Sequence, residues 1–191
     1  MLGAPGRTLI IALRLLVGLA LLGAFDTLYY HEWRARLPAL GLAARDELRL
    51  HALRDFVYAI LFATIPWIEW LGFYVFALGA LLLTEIVLTL WDFVVEDWIR
   101  KPLGGVYPGE RVMHAIMGIV YGAALAFLIP VMHAWWPRPA GLAIANPAPS
   151  SALGAILTVM AAGVLLSGIR DWCAASGMRG SAWPWKTESG G

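Results

Sequence analysis

The chain has 191 residues, of which 60% are hydrophobic and only 14% charged, with a formal net charge of +1. A soluble globular domain carries about 25% charged residues, so long apolar blocks at this composition mean an integral membrane protein. The near-neutral balance offers no basic cluster for nucleic acid, and a single cysteine, Cys173, excludes an internal disulfide and a thiolate metal cage.

The first apolar segment, about residues 9–30, is predicted to be a membrane span rather than a signal peptide, because no small-x-small cleavage site precedes Asp26. Further spans are predicted at about 48–65, 71–95, 112–134 and 152–172, each close to the roughly 20 apolar residues that a crossing helix needs. Proline makes residues 66–70 a tight connection, and glycines end the third helix at 101–105. A Pro/Ala loop fills 137–150. Trp33, Trp67, Trp70, Trp98, Trp135, Trp136 and Trp172 sit at segment ends, as in an aromatic belt. The expected fold class is therefore all-α: a polytopic bundle of five transmembrane helices forming a single domain over 1–175. Residues 176–191 are a Gly/Ser-rich tail expected to be poorly ordered.

Eleven basic residues (Arg34, Arg36, Arg45, Arg49, Arg54, Arg100, Lys101, Arg111, Arg170, Arg179 and Lys186) fall on one side of this arrangement. Three, Arg7, Arg14 and Arg138, fall on the other. The positive-inside rule then places the protein in the inner membrane as a multi-pass chain, N-terminus outside and C-terminus cytoplasmic.

Within that frame the ionisable residues converge. Glu47, His51 and Asp55 recur every four residues on the second segment; Glu85, Asp92 and Glu96 share a face of the third; Glu110 and His114 open the fourth. Asp26 belongs to the first segment, with His31 about 140° away from it around an ideal helix. Four successive helices thus deliver polar side chains to the cytoplasmic half of a four-helix core. The fifth helix, with no acidic or histidine residue before Asp171, flanks it. Ionisable groups inside spans are costly and are functional-site candidates by default.

His51, His114, Asp92, Glu85 and Asp26 lie within roughly 10 Å of depth at 1.5 Å per residue and are the candidate metal ligands. Asp55 is the candidate catalytic base or orienting group. Glu47, Glu96, Glu110 and His31 form a shallower ring, and Arg45 and Arg49 are candidates for holding an anionic head group. Carboxylate and imidazole without sulfur suit iron, manganese or zinc, and inward-facing carboxylates of four helices are how dinuclear sites are built. The layout resembles ferritin-like carboxylate sites, although those space Glu and His three apart and here Glu47 and His51, like Glu110 and His114, are four apart. A mononuclear site of His51, His114 and Asp92 is the simpler variant.

The function these residues imply is a metal-dependent oxidase, hydroxylase or hydrolase acting on a hydrophobic or lipid-like substrate. Two other readings use the same residues. One is a structural ion-pair network in a non-catalytic membrane subunit or assembly factor, as a homo-oligomer or part of a larger complex. The other is a proton or ion path through Glu85. Gly118 and Gly122, and Gly163 with Ser167, are small residues at four-residue spacing that are expected to let helices pack closely.

Overall fold

A computed structural model describes residues 4–145 and 150–185. Five long helices organise it: α1 (Ala4–Asp26), α2 (Arg45–Thr64), α3 (Tyr74–Arg100), α4 (Pro108–Trp135) and α5 (Ser151–Ala175). α1 continues without a break into a π-helical stretch, Thr27–Arg34. One helical turn and one 3₁₀ turn, Leu37–Leu40 and Gly41–Ala44, then carry the chain to α2. Local sequence explains the helix ends. Pro108 starts α4, where its missing N–H costs nothing, and Ser150 Oγ accepts from Leu153 N to cap α5. Gly104, at φ 96°, closes the turn after α3.

The all-helical architecture agrees with the expectation, with one addition. Residues 68–70 and 141–144, within connections read as loops, together with Leu71, read as the first residue of the third span, pair as a short antiparallel ribbon, β1 (Ile68–Leu71) and β2 (Gly141–Ile144). Its register sets Ile68 opposite Ile144 and Leu71 opposite Gly141. Strands this short carry too little alternation to read from sequence.

Four helical segments are long and apolar enough to cross a membrane: Gly6–Arg34, which includes the π-helical stretch, together with α3, α4 and α5. α2 does not belong to that set, because Arg45, Asp46, Glu47, Arg49, Arg54 and Asp55 crowd its first half. The outward faces of the other helices expose Leu21, Leu83, Val87, Trp91, Ile119 and Leu166, an apolar surface suited to lipid.

The packing corrects the expected role of the last helix. α1 packs along α4, and α2 along both α5 and α3, while α1 also touches α5. α5 is thus an integral wall of the bundle rather than a flanking helix. The α2–α5 approach is closest at Gly168, where a Cβ would lie 2.9 Å from Asp55 Cβ and 3.1 Å from Ala52 O. Gly118, Gly122 and Gly163 face open space instead, with nothing within 4 Å of an added Cβ. The expected small-residue packing therefore occurs at a different glycine.

Two apolar cores bracket the middle of the bundle. The larger, in the half bearing the β-ribbon, includes Leu13, Leu61, Phe62, Leu78, Leu128 and Leu157. The smaller joins Leu37, Ala44 and Leu48 to Ala174 and Ala175 at the opposite end. The polar residues lie between them. Beyond α5, residues 176–185 fold back as turns, with Arg170 donating to Ser181 O and Trp183 O. Arg170 also pairs with Glu32, which accepts from Trp185 Nε1. The rest of the predicted tail, 186–191, and residues 146–149 of the loop before α5 lie outside the described residues.

Candidate metal centre

The π-helical stretch is what assembles the site. Winding with i→i+5 bonds stacks position 31 over position 26, so the 140° separation expected for an ideal α-helix does not arise. His31 Nε2 lies 3.4 Å from Asp26 Oδ2 and 3.2 Å from Glu110 Oε1. From α4, His114 presents Nε2 at 3.3 Å from the same Asp26 oxygen and Nδ1 at 3.4 Å from Glu96 Oε1. All five side chains are buried.

Two overlapping groups are close enough to hold a metal ion: Asp26, His31 and His114, and Glu96, Glu110 and His114, with donor atoms of each within 4.8 Å of one another. Donors bound tetrahedrally at about 2.1 Å from an ion stand about 3.4 Å apart, and the N···O separations of 3.2–3.4 Å match that spacing. His31 Nε2 makes no well-aligned hydrogen bond to its two near carboxylates, and among the described residues Asp26 Oδ1, Glu96 Oε2 and Glu110 Oε2 have no partner. Buried polar atoms without partners are rare and call for a missing ligand, ion or water.

A second layer surrounds this group. The His51 ring stacks on His31 at 4.4 Å between centroids. His51 Nε2 lies 3.2 Å from Asp92 Oδ2, which also accepts from Arg54 Nη1 at 2.7 Å, and His51 Nδ1 is 3.9 Å from Asp171 Oδ2. On the other flank, buried Arg100 pairs with Glu47 at 2.7 Å and with Glu110 at 3.2 Å. Deeper along α3, Glu85 Oε1 accepts from Tyr58 OH at 2.6 Å and Thr89 Oγ1 at 2.7 Å. Among the described residues seven carboxyl-bearing side chains are buried: Asp26, Glu47, Glu85, Asp92, Glu96, Glu110 and Asp171. Arg100 and the slightly exposed Arg54 are the arginines that pair with them. That negative excess favours either a cation or protons.

The structure thus redraws the groups read from the sequence. Asp26 and His114 of the deep set meet, but their partners are His31, Glu96 and Glu110 of the shallower ring. His51 and Asp92 stand beside them as a pair with Arg54, so the trio His51, His114 and Asp92 does not form a common group. Glu85 is held by hydroxyls away from the histidines, and Glu47 is engaged by Arg100. Asp55 lines the cavity next to the site together with Ser167. Arg45 is exposed, and Arg49 lies over the Trp172 ring at 6.0 Å, outside the cavity lining.

Two residues were missed. Asp171 shares a face with Gly163 and Ser167, and that four-residue spacing was the available signal. Arg100 reads as one half of an exposed pair with Glu96, but its side chain turns inward to Glu47 and Glu110.

A cavity of about 530 Å³ opens beside Asp26, His31, His51 and His114 and runs between the helices toward Leu19 and Phe62. A second cleft, of about 510 Å³, reaches His114 from the side of Glu96, Asp97 and Arg111. His114 and Phe93, whose rings stack at 5.1 Å, border both spaces. No protein-family profile, curated protein or solved structure matches the chain.

Proposed function

We propose that the protein is an integral membrane metalloenzyme whose ion is held by Asp26, His31 and His114, with Glu110 as a further ligand. One observation carries this reading: three buried donor atoms lie within 4.8 Å of one another, and one of them, His31 Nε2, faces two carboxylates without a well-aligned hydrogen bond. Glu96 beside His114 Nδ1 supports it, since a metal-bound histidine usually gives its other N–H to a carboxylate. A second ion would use Glu96, Glu110 and His114, which requires His114 to serve both ions through its two nitrogens.

The donor set of carboxylate and imidazole suits iron, manganese or zinc. Such an ion would activate oxygen or water for oxidation, hydroxylation or hydrolysis of a hydrophobic substrate. This chain's residues do the rest. The apolar cavity receives the substrate, Asp55 moves a proton at its edge, and His51 with Asp92 and Arg54 holds the His31 ring in place. In the bilayer α2 forms a fifth crossing, shielded by α3 and α5. The site faces the cytoplasmic half of the inner membrane, as the eleven basic residues favour.

Metal analysis of protein purified without chelator, beside His31→Ala and His114→Ala, is the test. At least one ion per chain in wild type and its loss in both variants is the expected result. No stoichiometric metal, with stability unchanged by chelation, overturns it. Ion pairing favours a second reading: Arg100 with Glu47 and Arg54 with Asp92 form a buried network of the kind a non-catalytic subunit of a larger complex could use for packing. Full tolerance of both histidine substitutions, with copurification of a larger assembly, would support it.

A further inference from the structure

We infer that the 530 Å³ cavity binds a single-chain amphiphile with an uncharged head, such as a long-chain alcohol, its head beside His31 and His51 and its chain running toward Phe62. The inference rests on the proposed metal site only for where the reacting end lies. Chain binding itself is independent of it.

The cavity changes character along its length. Asp26, His31, His51, Asp55 and Asp171 line one end, and Leu19, Phe62, Leu125 and Met160 line the other. Its width comes from glycine. Gly23 of α1, Gly118 and Gly122 of α4 and Gly163 of α5 all border it, and a Cβ on any of them would meet nothing within 4 Å. Three helices therefore withhold side chains from one continuous space. Close helix packing does not account for these glycines, because their neighbours are too distant. At roughly 30 Å³ per water-sized group, 530 Å³ accommodates about 18 non-hydrogen atoms. That is enough for one chain with a small head.

Charge selects the head. Among the described residues, Arg54 is the one arginine or lysine on the cavity wall, and it is engaged by Asp92 at 2.7 Å. Four of the five helices face it with a carboxyl group, Asp26 on α1, Asp55 on α2, Glu85 on α3 and Asp171 on α5, while α4 contributes His114 and Tyr121. In metal-free protein, where Arg54 and each of the three wall histidines already face a carboxylate, a carboxylate or phosphate head would meet net repulsion and lose its hydration without a free counter-charge. A hydroxyl head, in contrast, has Asp55, Thr89 and Ser167 as partners along the same wall.

The test measures binding of 1-hexadecanol and hexadecanoate to detergent-purified full-length protein by native mass spectrometry, with and without chelator. The expected result is one hexadecanol per chain, at least tenfold weaker binding of hexadecanoate in chelated protein, and at least tenfold weaker hexadecanol binding in Gly118→Leu and Gly163→Leu. Helical content and metal content of the variants should match wild type, and Gly122→Ala serves if a leucine variant does not fold. Equal binding by the filled variants, or hexadecanoate binding as tightly as hexadecanol in chelated protein, overturns the inference. Because the binding is read in chelated protein too, absence of metal would sink the proposed enzyme while leaving the cavity result standing.

Discussion

His31 Nε2 sits 3.4 Å from Asp26 Oδ2, five residues earlier in the same helix, because α1 relaxes into π winding at Thr27. That one change of pitch converts a histidine on the wrong face into the centre of a polar group drawing on three helices. π turns inside α-helices occur frequently at functional sites. The prediction is that His31→Ala loses bound metal as completely as His114→Ala. His51→Ala, which removes only the stacked neighbour, and Glu96→Gln should keep the metal with affinity lowered about 10–100-fold. Chelator-competition titrations check this order, and equal retention in all four variants would refute it.

What could be read from the sequence was whatever an ideal helix preserves. Segment lengths and four-residue spacing put Glu110 with His114 and Asp26 near the same depth, and the structure keeps those relations. The pairing of His31 with Asp26 depends on a π stretch whose residues, Thr27–Arg34, carry no pattern that marks it. Arg100 was misplaced for a different reason. Spacing along α3 shows that it can reach Glu96, but not that the turn of α4 brings Glu110 closer. The small-residue motifs mislead because glycine allows both close packing and empty space. Gly168 has the first use and Gly118 the second.

Arg100 is 1% exposed and pairs with Glu47, which is fully buried. Removing one partner of such a pair leaves an uncompensated charge at a cost of about 3–5 kcal/mol. Arg100→Met should therefore lower stability by that order, and Glu47→Gln on the same background should recover part of it. Unfolding in detergent by SDS titration measures both. Additive losses in the double variant would show that the two residues do not act as a pair.

Tyr58 and Thr89 both donate to Glu85 Oε1. Leaving a buried hydrogen-bonding group unsatisfied costs about 1–3 kcal/mol, so Tyr58→Phe should destabilise by up to that amount. Metal content should stay at the wild-type level, since Glu85 lies outside both donor groups. Glu85→Gln should likewise retain metal. Loss of metal in either variant would place Glu85 among the ligands. Loss of proton-coupled flux in Glu85→Gln reconstituted in vesicles would instead revive the ion-path reading.

Glycine substitutions should divide sharply by position. Gly168→Leu forces a side chain against Asp55, Phe56 and the Ala52 carbonyl. It should destabilise by about 1–3 kcal/mol or more through overpacking. Gly118→Ala adds a methyl to open space and relieves the helix penalty of glycine, about 1 kcal/mol, so it should be neutral or stabilising. Thermal unfolding in one detergent compares the two. A Gly118→Ala loss as large as that of Gly168→Leu would mean the space beside α4 is closed.

Metal binding should also appear as stability, with a definite dependence on acid. An ion that binds only the folded chain stabilises it by about 2.7 kcal/mol at a free concentration 100-fold above its dissociation constant. Chelation should lower the unfolding temperature of wild type but not of His114→Ala. Metal ligands must be deprotonated to bind, so acidification should release the ion. The stability gap between loaded and chelated protein should therefore shrink as pH falls and persist as it rises toward neutrality. A gap that widens on acidification would mean the stabilising ion sits on other groups than His31 and His114.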